Sequence, residues 1–430
     1  MTAALELAGL QQCRGEVTLP GSKSIANRAL LMAALCQQGQ QTRLTNVLRS
    51  DDTERMLEAL TALGIAVGID VKAGTTVTIT GCGGHWQQVP SELQLGNAGT
   101  AIRPLTAVLS ATLNDQTCVL TGNERMQERP LAALTDCLSA AGATIHYLSN
   151  EGYPPVQLAG GLQAGHLSID GSASSQYISA LLMALPLLAG DSILQLEGKV
   201  VSWPYIELTV AMLERFGIRV HQIGGQEFMI PGNQVYCSPG EYWIEGDASA
   251  ASYWLAAGVL GGGPLRIHGI GQASIQGDLA FAGYLSGMGG NLQVDERFID
   301  VQGGQLQAID ADLNAIPDAA MTFATLALFA QGTTHIRNIA NWRIKETDRL
   351  HAMATELRKT GAVVEEFADS IRITPPVAIE HAAIATYDDH RMAMCFALLG
   401  FAPAGVRIID PDCCSKTYPD FFREFNRLCR

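Results

Sequence analysis

Residues 56–67 read MLEALTALGIAV, an amphipathic helical pattern that halts at Gly64 and passes straight into an apolar, β-branched run. A glycine there supplies the left-handed backbone that closes a helix. The same phrase recurs as CLSAAGATI, AMLERFGIRV, YLSGMGGNL and ELRKTGAVV, with its glycines at Gly142, Gly217, Gly289 and Gly361. The intervals from Gly64 onward are 78, 75, 72 and 72 residues, too regular for coincidence.

A second set of helices is apolar on nearly every face, as buried helices are: SIANRALLMAAL, TAIRPLTAVLSA, SSQYISALLMALPLL, SAASYWLAAGVL, DAAMTFATLALFA and DHRMAMCFALLG. Their starts, near Ser24, Thr100, Ser175, Ser249, Asp318 and Asp389, keep the same rhythm. Between helices lie short runs such as TTVTITG, TCVLTG, GHLSIDG, RFIDVQG and SIRITPP, rich in β-branched residues and bounded by glycine or proline. The chain therefore reads as six α/β modules, each with one buried and one amphipathic helix. Six modules divide most simply into two domains of three, with a break at residues 238–242. A length of 430 residues also favours two hydrophobic cores over one.

Composition excludes several classes of function. With 47% hydrophobic and 16% charged residues the chain is neither disordered nor a coiled coil. A net charge of −14 without a basic stripe argues against nucleic acid and anionic membranes as partners. The apolar run from Ile178 is too short to span a bilayer and contains Pro186. The start MTAALELAGL has no basic residue and is interrupted by Glu6, unlike a signal peptide. Ten scattered cysteines without metal-ligand spacing suit a reduced, cytoplasmic protein.

Against that acidic background the cations stand at the mouths of the buried helices. SKSIANR carries Lys23 and Arg28, GNAGTAIR carries Arg103, and YDDHRM carries His390 and Arg391. Ser, Thr, Asp and Asn at these starts are ordinary N-caps. Cations are not, because the positive end of a helix dipole disfavours them until an anion arrives. Three loops add Arg125 and Arg129 (NERMQERP), Lys345, Glu346, Asp348 and Arg349 (NWRIKETDRL), and Lys416 (DCCSKTYPD). Taken alone, NWRIKETDRL reads equally well as a solvated helix start with internal ion pairs. The stretch PGSKS lacks the earlier glycine of a phosphate-binding P-loop, where Glu16 stands, and YDDHRM is poor metal-ligand geometry. The pattern points to a polyanion site with no metal and no cofactor.

LPGSKSIANRAL, LGNAGTAIRPL, RMQERPL, SSQYISALLM, IPDAAMTFATLALFA, NWRIKETDRL, YDDHRMAMCF and the Lys416 loop, in this order, closely resemble the 5-enolpyruvylshikimate-3-phosphate synthase family of enolpyruvyl transferases. The resemblance implies an α/β fold of two similar lobes, each of three βαβαββ modules, with the active site in the interdomain cleft. It places the first lobe at residues 22–239 and the second at residues 1–21 plus 240–430. It implies transfer of the enolpyruvyl group of phosphoenolpyruvate to the 5-hydroxyl of shikimate 3-phosphate, with release of phosphate; apart from the resemblance, the protein is expected to be a cytoplasmic monomer.

By the same resemblance, shikimate 3-phosphate meets Lys23, Ser24, Arg28, Ser174, Ser175, Gln176, Ser202, Tyr205, Asp318, Asn341 and Lys345. Phosphoenolpyruvate meets Lys23, Asn97, Gly99, Thr100, Arg129, Gln176, Arg349, His390, Arg391 and Lys416. Asp318 is the expected base and Glu346 the expected proton donor, with Lys23 stabilising charge as it develops. Likeness of GNAGTAIRP to glyphosate-sensitive relatives implies competition by glyphosate beside Gly99. Ala26, Glu124 and Trp203 depart from the usual pattern, and none is a carried-over ligand. Two alternatives stay open at this level. One is an enolpyruvyl transferase acting on UDP-N-acetylglucosamine, disfavoured because NERMQERP lacks that family's cysteine or aspartate. The other is a non-catalytic two-lobed binding protein for an anionic metabolite.

Overall fold

A computed structural model describes residues 3–70, 75–114 and 116–430. Among the described residues the strands form six sheets, one per repeat, and five of them share one plan. A strand lies parallel to the next strand in its module, and that strand pairs antiparallel with the last strand of a returning hairpin. In the second module Glu92–Gln94 runs parallel to Cys118–Thr121, which pairs antiparallel with Val156–Leu158, which pairs with Ile145–Tyr147. The parallel pair is joined by a buried helix, Gly99–Thr112, and the hairpin is reached through a second helix, Ala132–Ala140. This is the βαβαββ unit.

The residues explain these elements. Helix Lys23–Leu35 has every residue buried except Ser24, so its continuous apolar run meets protein on all sides. Each fully buried Leu, Ile or Met side chain contributes about 1.5–3 kcal/mol. Gly64, Gly142, Gly217, Gly289 and Gly361 all take positive φ, between 80° and 105°, as the helix-stop reading requires. The strand His166–Asp170 alternates exposed and buried residues, leaving one face to the core.

By internal contacts the chain divides into two compact units, Gly21–Ile244 and a composite of Met1–Pro20 with Glu245–Arg430. The second transition falls after Ile244, past the 238–242 stretch, because Glu241–Trp243 pairs in parallel with Gln41–Thr45 and completes the first module's sheet. In the composite unit, Gly15–Thr18 lies parallel to Leu265–His268, so a strand from the amino-terminal segment opens the fourth module. Ala4–Leu7 pairs antiparallel with Val406–Ile409 and closes the sixth, whose sheet has three strands.

Candidate functional site

In the Gly21–Ile244 unit the three buried helices bring their amino-terminal turns together. Asn27, one turn into helix Lys23–Leu35, donates to Thr100 Oγ1 at 2.7 Å, at the start of helix Gly99–Thr112. Arg103, one turn further along that helix, donates to Gln176 Oε1 at 2.5 Å, at the start of helix Ser175–Ala184. Arg28 closes the ring by donating to Ser179 Oγ at 3.1 Å and to Thr209 Oγ1 at 2.8 Å. The Arg28 guanidinium is buried, and its partners are two hydroxyls and the Ser24 carbonyl. Burial pulls it down to about 10, against the opposing influence of Tyr205. A cation held this way, without a carboxylate, is electrostatically incomplete until an anion reaches it.

Lys23 pairs with Asp52 at 3.1 Å, and Arg129 donates to Asn97 Oδ1 at 2.8 Å. Gly99 lies between arginines: a Cβ there would stand 2.9 Å from both Arg103 Nη1 and Arg129 Nη2. Ser174 caps its helix by accepting from the Gln176 amide. Ser202 is buried with φ 55°, a left-handed conformation that a serine adopts only when its surroundings enforce it. Tyr205 sits just inside helix Pro204–Arg215, and its carbonyl accepts from Thr209 Oγ1 beside Arg28. Trp203 stacks on Phe228 and donates to Glu207.

The composite unit gathers charges of both signs. Asp318 Oδ1 accepts from Arg349 Nη1 at 2.9 Å and faces Lys345 Nζ at 3.6 Å, while Oδ2 accepts from Arg391 Nη2 at 2.9 Å. Burial opposes ionisation of Asp318, but the charges of Arg391, Lys345 and Arg349 outweigh it and hold the carboxyl well below the usual range. Arg349 is 1% exposed and meets three carboxylates: Asp318, Glu346 at 2.7 Å and Asp389 at 2.7 Å. Burial works against its charge, yet Asp389, Glu346 and Asp318 together raise its proton affinity. Glu346 also faces Lys416 at 3.8 Å. Arg391 reaches Tyr253 with its other nitrogen, at 3.1 Å. His390 is buried beside Asp389, and Asn341 lies in the 3-10 turn Ala340–Ile344, which the Trp342 indole ties to Pro317 O.

Two local readings are corrected. Asp318 does not begin a helix; it lies in the turn two residues before helix Ala320–Leu326, which frees both carboxylate oxygens for side-chain partners. NWRIKETDRL is not a solvated start, because Arg349 turns inward to remote carboxylates as well as to Glu346. The residue-level reading also passed over Asn27, Asp52, Tyr253 and the pairing of Asp389 with Arg349. Asp389 had a signal, since an aspartate beside an invariably charged arginine can pair as well as cap. It does both, accepting from the Arg391 amide while it binds Arg349.

The EPSP synthase family model, described as 3-phosphoshikimate 1-carboxyvinyltransferase, matches residues 7–425. A 3-phosphoshikimate 1-carboxyvinyltransferase from Idiomarina loihiensis is 58% identical over 432 residues, covering all of both chains. One from Klebsiella pneumoniae is 52% identical over 426 residues and 99% of each chain. Among solved structures, EPSP synthase from Acinetobacter baumannii superposes with a TM-score of 0.82 at 25% identity, over 99% of this chain and 98% of that one. The enolpyruvyl transferase NikO from Streptomyces tendae shares the fold at 20% identity, with a TM-score of 0.79 over 100% of this chain and 98% of that one.

Proposed function

The chain belongs to the EPSP synthase (3-phosphoshikimate 1-carboxyvinyltransferase) family, and from that premise we propose how its own residues carry out the reaction. The protein is a transferase of the shikimate pathway that joins the enolpyruvyl group of phosphoenolpyruvate to the 5-hydroxyl of shikimate 3-phosphate and releases phosphate. Both substrates carry a phosphate and a carboxylate, so their encounter is repulsive unless cations intervene. Arginine meets such groups with a planar fork and lysine with a compact charge.

In this reading Arg28, with the Ser174, Ser175, Gln176, Ser202 and Tyr205 segments around it, receives shikimate 3-phosphate, and Asn341 and Lys345 complete its ligands. Arg129, Arg349, Arg391 and Lys416 hold phosphoenolpyruvate, with Asn97, Gly99, Thr100 and His390 beside it. Lys23 serves both substrates. We assign the two units to the family's two lobes. The work is done by a cytoplasmic monomer, in keeping with ten cysteines present as free thiols.

The observation that carries the reading is the Asp318 carboxylate gripped by Arg349, Arg391 and Lys345. Alone it is a weak base, because those cations stabilise its charge. Arriving anionic substrates draw on the same cations, and Asp318 regains proton affinity when it is needed. It takes the 5-hydroxyl proton as the oxygen attacks C2 of phosphoenolpyruvate, while Glu346 gives a proton to the methylene carbon. In the elimination that methyl group returns a proton to Glu346, the bond from C2 to the phosphate oxygen breaks, and inorganic phosphate leaves with the proton that Asp318 took. Lys23 stabilises the charge that develops between these steps.

The decisive experiment is phosphate release from phosphoenolpyruvate with and without shikimate 3-phosphate. Release that depends on shikimate 3-phosphate is expected. Release driven by UDP-N-acetylglucosamine, or none with either acceptor, would overturn the reading.

A further inference from the structure

The composite unit contains a buried carboxyl group that the reaction above does not use. Asp278, in the 3-10 turn Gly277–Leu279, is 3% exposed. Its Oδ2 accepts a hydrogen bond from Ser249 Oγ, on the first turn of helix Ala248–Leu260. Four residues on, along the same face of that helix, Tyr253 accepts from Arg391, whose other nitrogen grips Asp318 at 2.9 Å. One helical turn thus connects Asp278 to the guanidinium that holds the base.

The turn itself is tied down. Gln276 accepts from the Ala248 amide at 3.1 Å and donates to Gly246 O at 2.8 Å and Glu245 Oε2 at 3.0 Å, and Ser274 donates to the same carboxylate at 2.6 Å. Besides its burial, Asp318 and Asp247 repel its charge, while Ser249 and Arg391 favour it. Burial is the largest influence and Asp318 the next, and together they push the carboxyl up to about 7. Asp318, in the same unit, is pushed the other way. Carboxyl groups driven apart like this divide acid and base states between them.

We propose that Asp278 is a positioning residue that acts on Asp318 through Arg391. Its protonated form does not compete with Asp318 for the charge of Arg391. Its ionised form draws on the same guanidinium and adds a negative charge that strengthens Asp318 as a base. The inference rests on the reading of Asp318 as the base, and it adds a pH-dependent control to that base.

The test is the pH dependence of kcat/KM in the wild type and in Asp278→Asn, between pH 6 and 8. Asparagine keeps the neutral form's shape and hydrogen bonding without the titration. The variant should match the wild type near pH 6 and fall roughly tenfold below it near pH 8, the effect of about one pKa unit of coupling. An unchanged profile, or an equal loss at every pH, overturns the proposal. Should Asp278→Asn not fold, Ser249→Ala removes the donor that favours ionisation, and the inflection should move to higher pH; an unmoved inflection is equally damaging. Asp318→Asn run alongside separates the two claims. If that variant turns over normally, the base assignment fails. If it is inactive while Asp278→Asn keeps the wild-type profile, only the positioning role fails.

Discussion

Both units bury arginines, but they compensate the charge in opposite ways. In the Gly21–Ile244 unit Arg28 is held by hydroxyls and a carbonyl, and Arg103 by an amide oxygen and the ring of Tyr177. In the composite unit Arg349 meets three carboxylates, and Arg391 meets Asp318. A cation with neutral partners attracts an anion from outside and gains most when one binds. A cation already paired gains less, but it fixes its carboxylates in place, as proton transfer requires of an acid or base. The first arrangement suits capture, and the second suits chemistry.

The sharpest attack on that contrast is Asp318→Ala. Turnover should fall by about two to four orders of magnitude, a general-base contribution, measured as the initial rate of phosphate release. Turnover near the wild-type level would leave the composite unit with cations alone and dissolve the distinction. Next is a pair of stability measurements by chemical denaturation. Arg349→Met strands buried carboxylates and should cost about 3–5 kcal/mol, whereas Arg28→Met strands only neutral groups, the Ser24 carbonyl and two hydroxyls that retain each other, Ser179 and Thr209 at 2.9 Å, and should cost about 1 kcal/mol or less. Equal costs would mean that the two arginines are compensated alike.

Smaller effects sharpen the picture. Arg28→Ala should weaken shikimate 3-phosphate binding by roughly 10- to 100-fold, the worth of a charged hydrogen bond, with turnover at saturation changed much less. Titration calorimetry showing wild-type affinity would remove Arg28 from that site. Gly99→Ala crowds Arg103 and Arg129. It should raise the KM for phosphoenolpyruvate roughly five- to tenfold, the lower end of overpacking costs, and should weaken inhibition by glyphosate. Glyphosate inhibition that does not depend on phosphoenolpyruvate concentration would refute the shared site.

The gentlest test is stability against pH. Asp318, held low, stabilises the fold above the ordinary carboxylate range, and that contribution is lost as pH falls through and below it. Asp278, held high at about 7, stabilises in its neutral form, and that contribution is lost as pH rises from the ordinary carboxylate range up to about 7. Thermal midpoints should therefore peak in mildly acid solution. Asp278→Asn should remove the decline on the alkaline side and leave the acid side in place.

The repeat was readable because its signals are local. Gly64 and its four counterparts end helices through their own backbone freedom, and an all-apolar helix such as SIANRALLMAAL announces burial by composition alone. The positions of the cations were equally visible. Their partners were not: Lys23 finds Asp52, Asn27 finds Thr100, and Arg349 finds Asp389 across 29, 73 and 40 residues. Periodicity carries no information about such pairs, since they exist only after separate elements have packed, within one module for Lys23 and Asp52 and between modules for the other two. The amino-terminal strands show the same limit. Nothing in GEVT says that it lies beside Leu265–His268, because a parallel partner is chosen by the sheet and not by the strand. Which elements form, where they stop and which of them carry charge were settled by chemistry between near neighbours along the chain. Which charges stay open to an anion and which are closed by a carboxylate was settled only when distant segments came together and water was excluded around them.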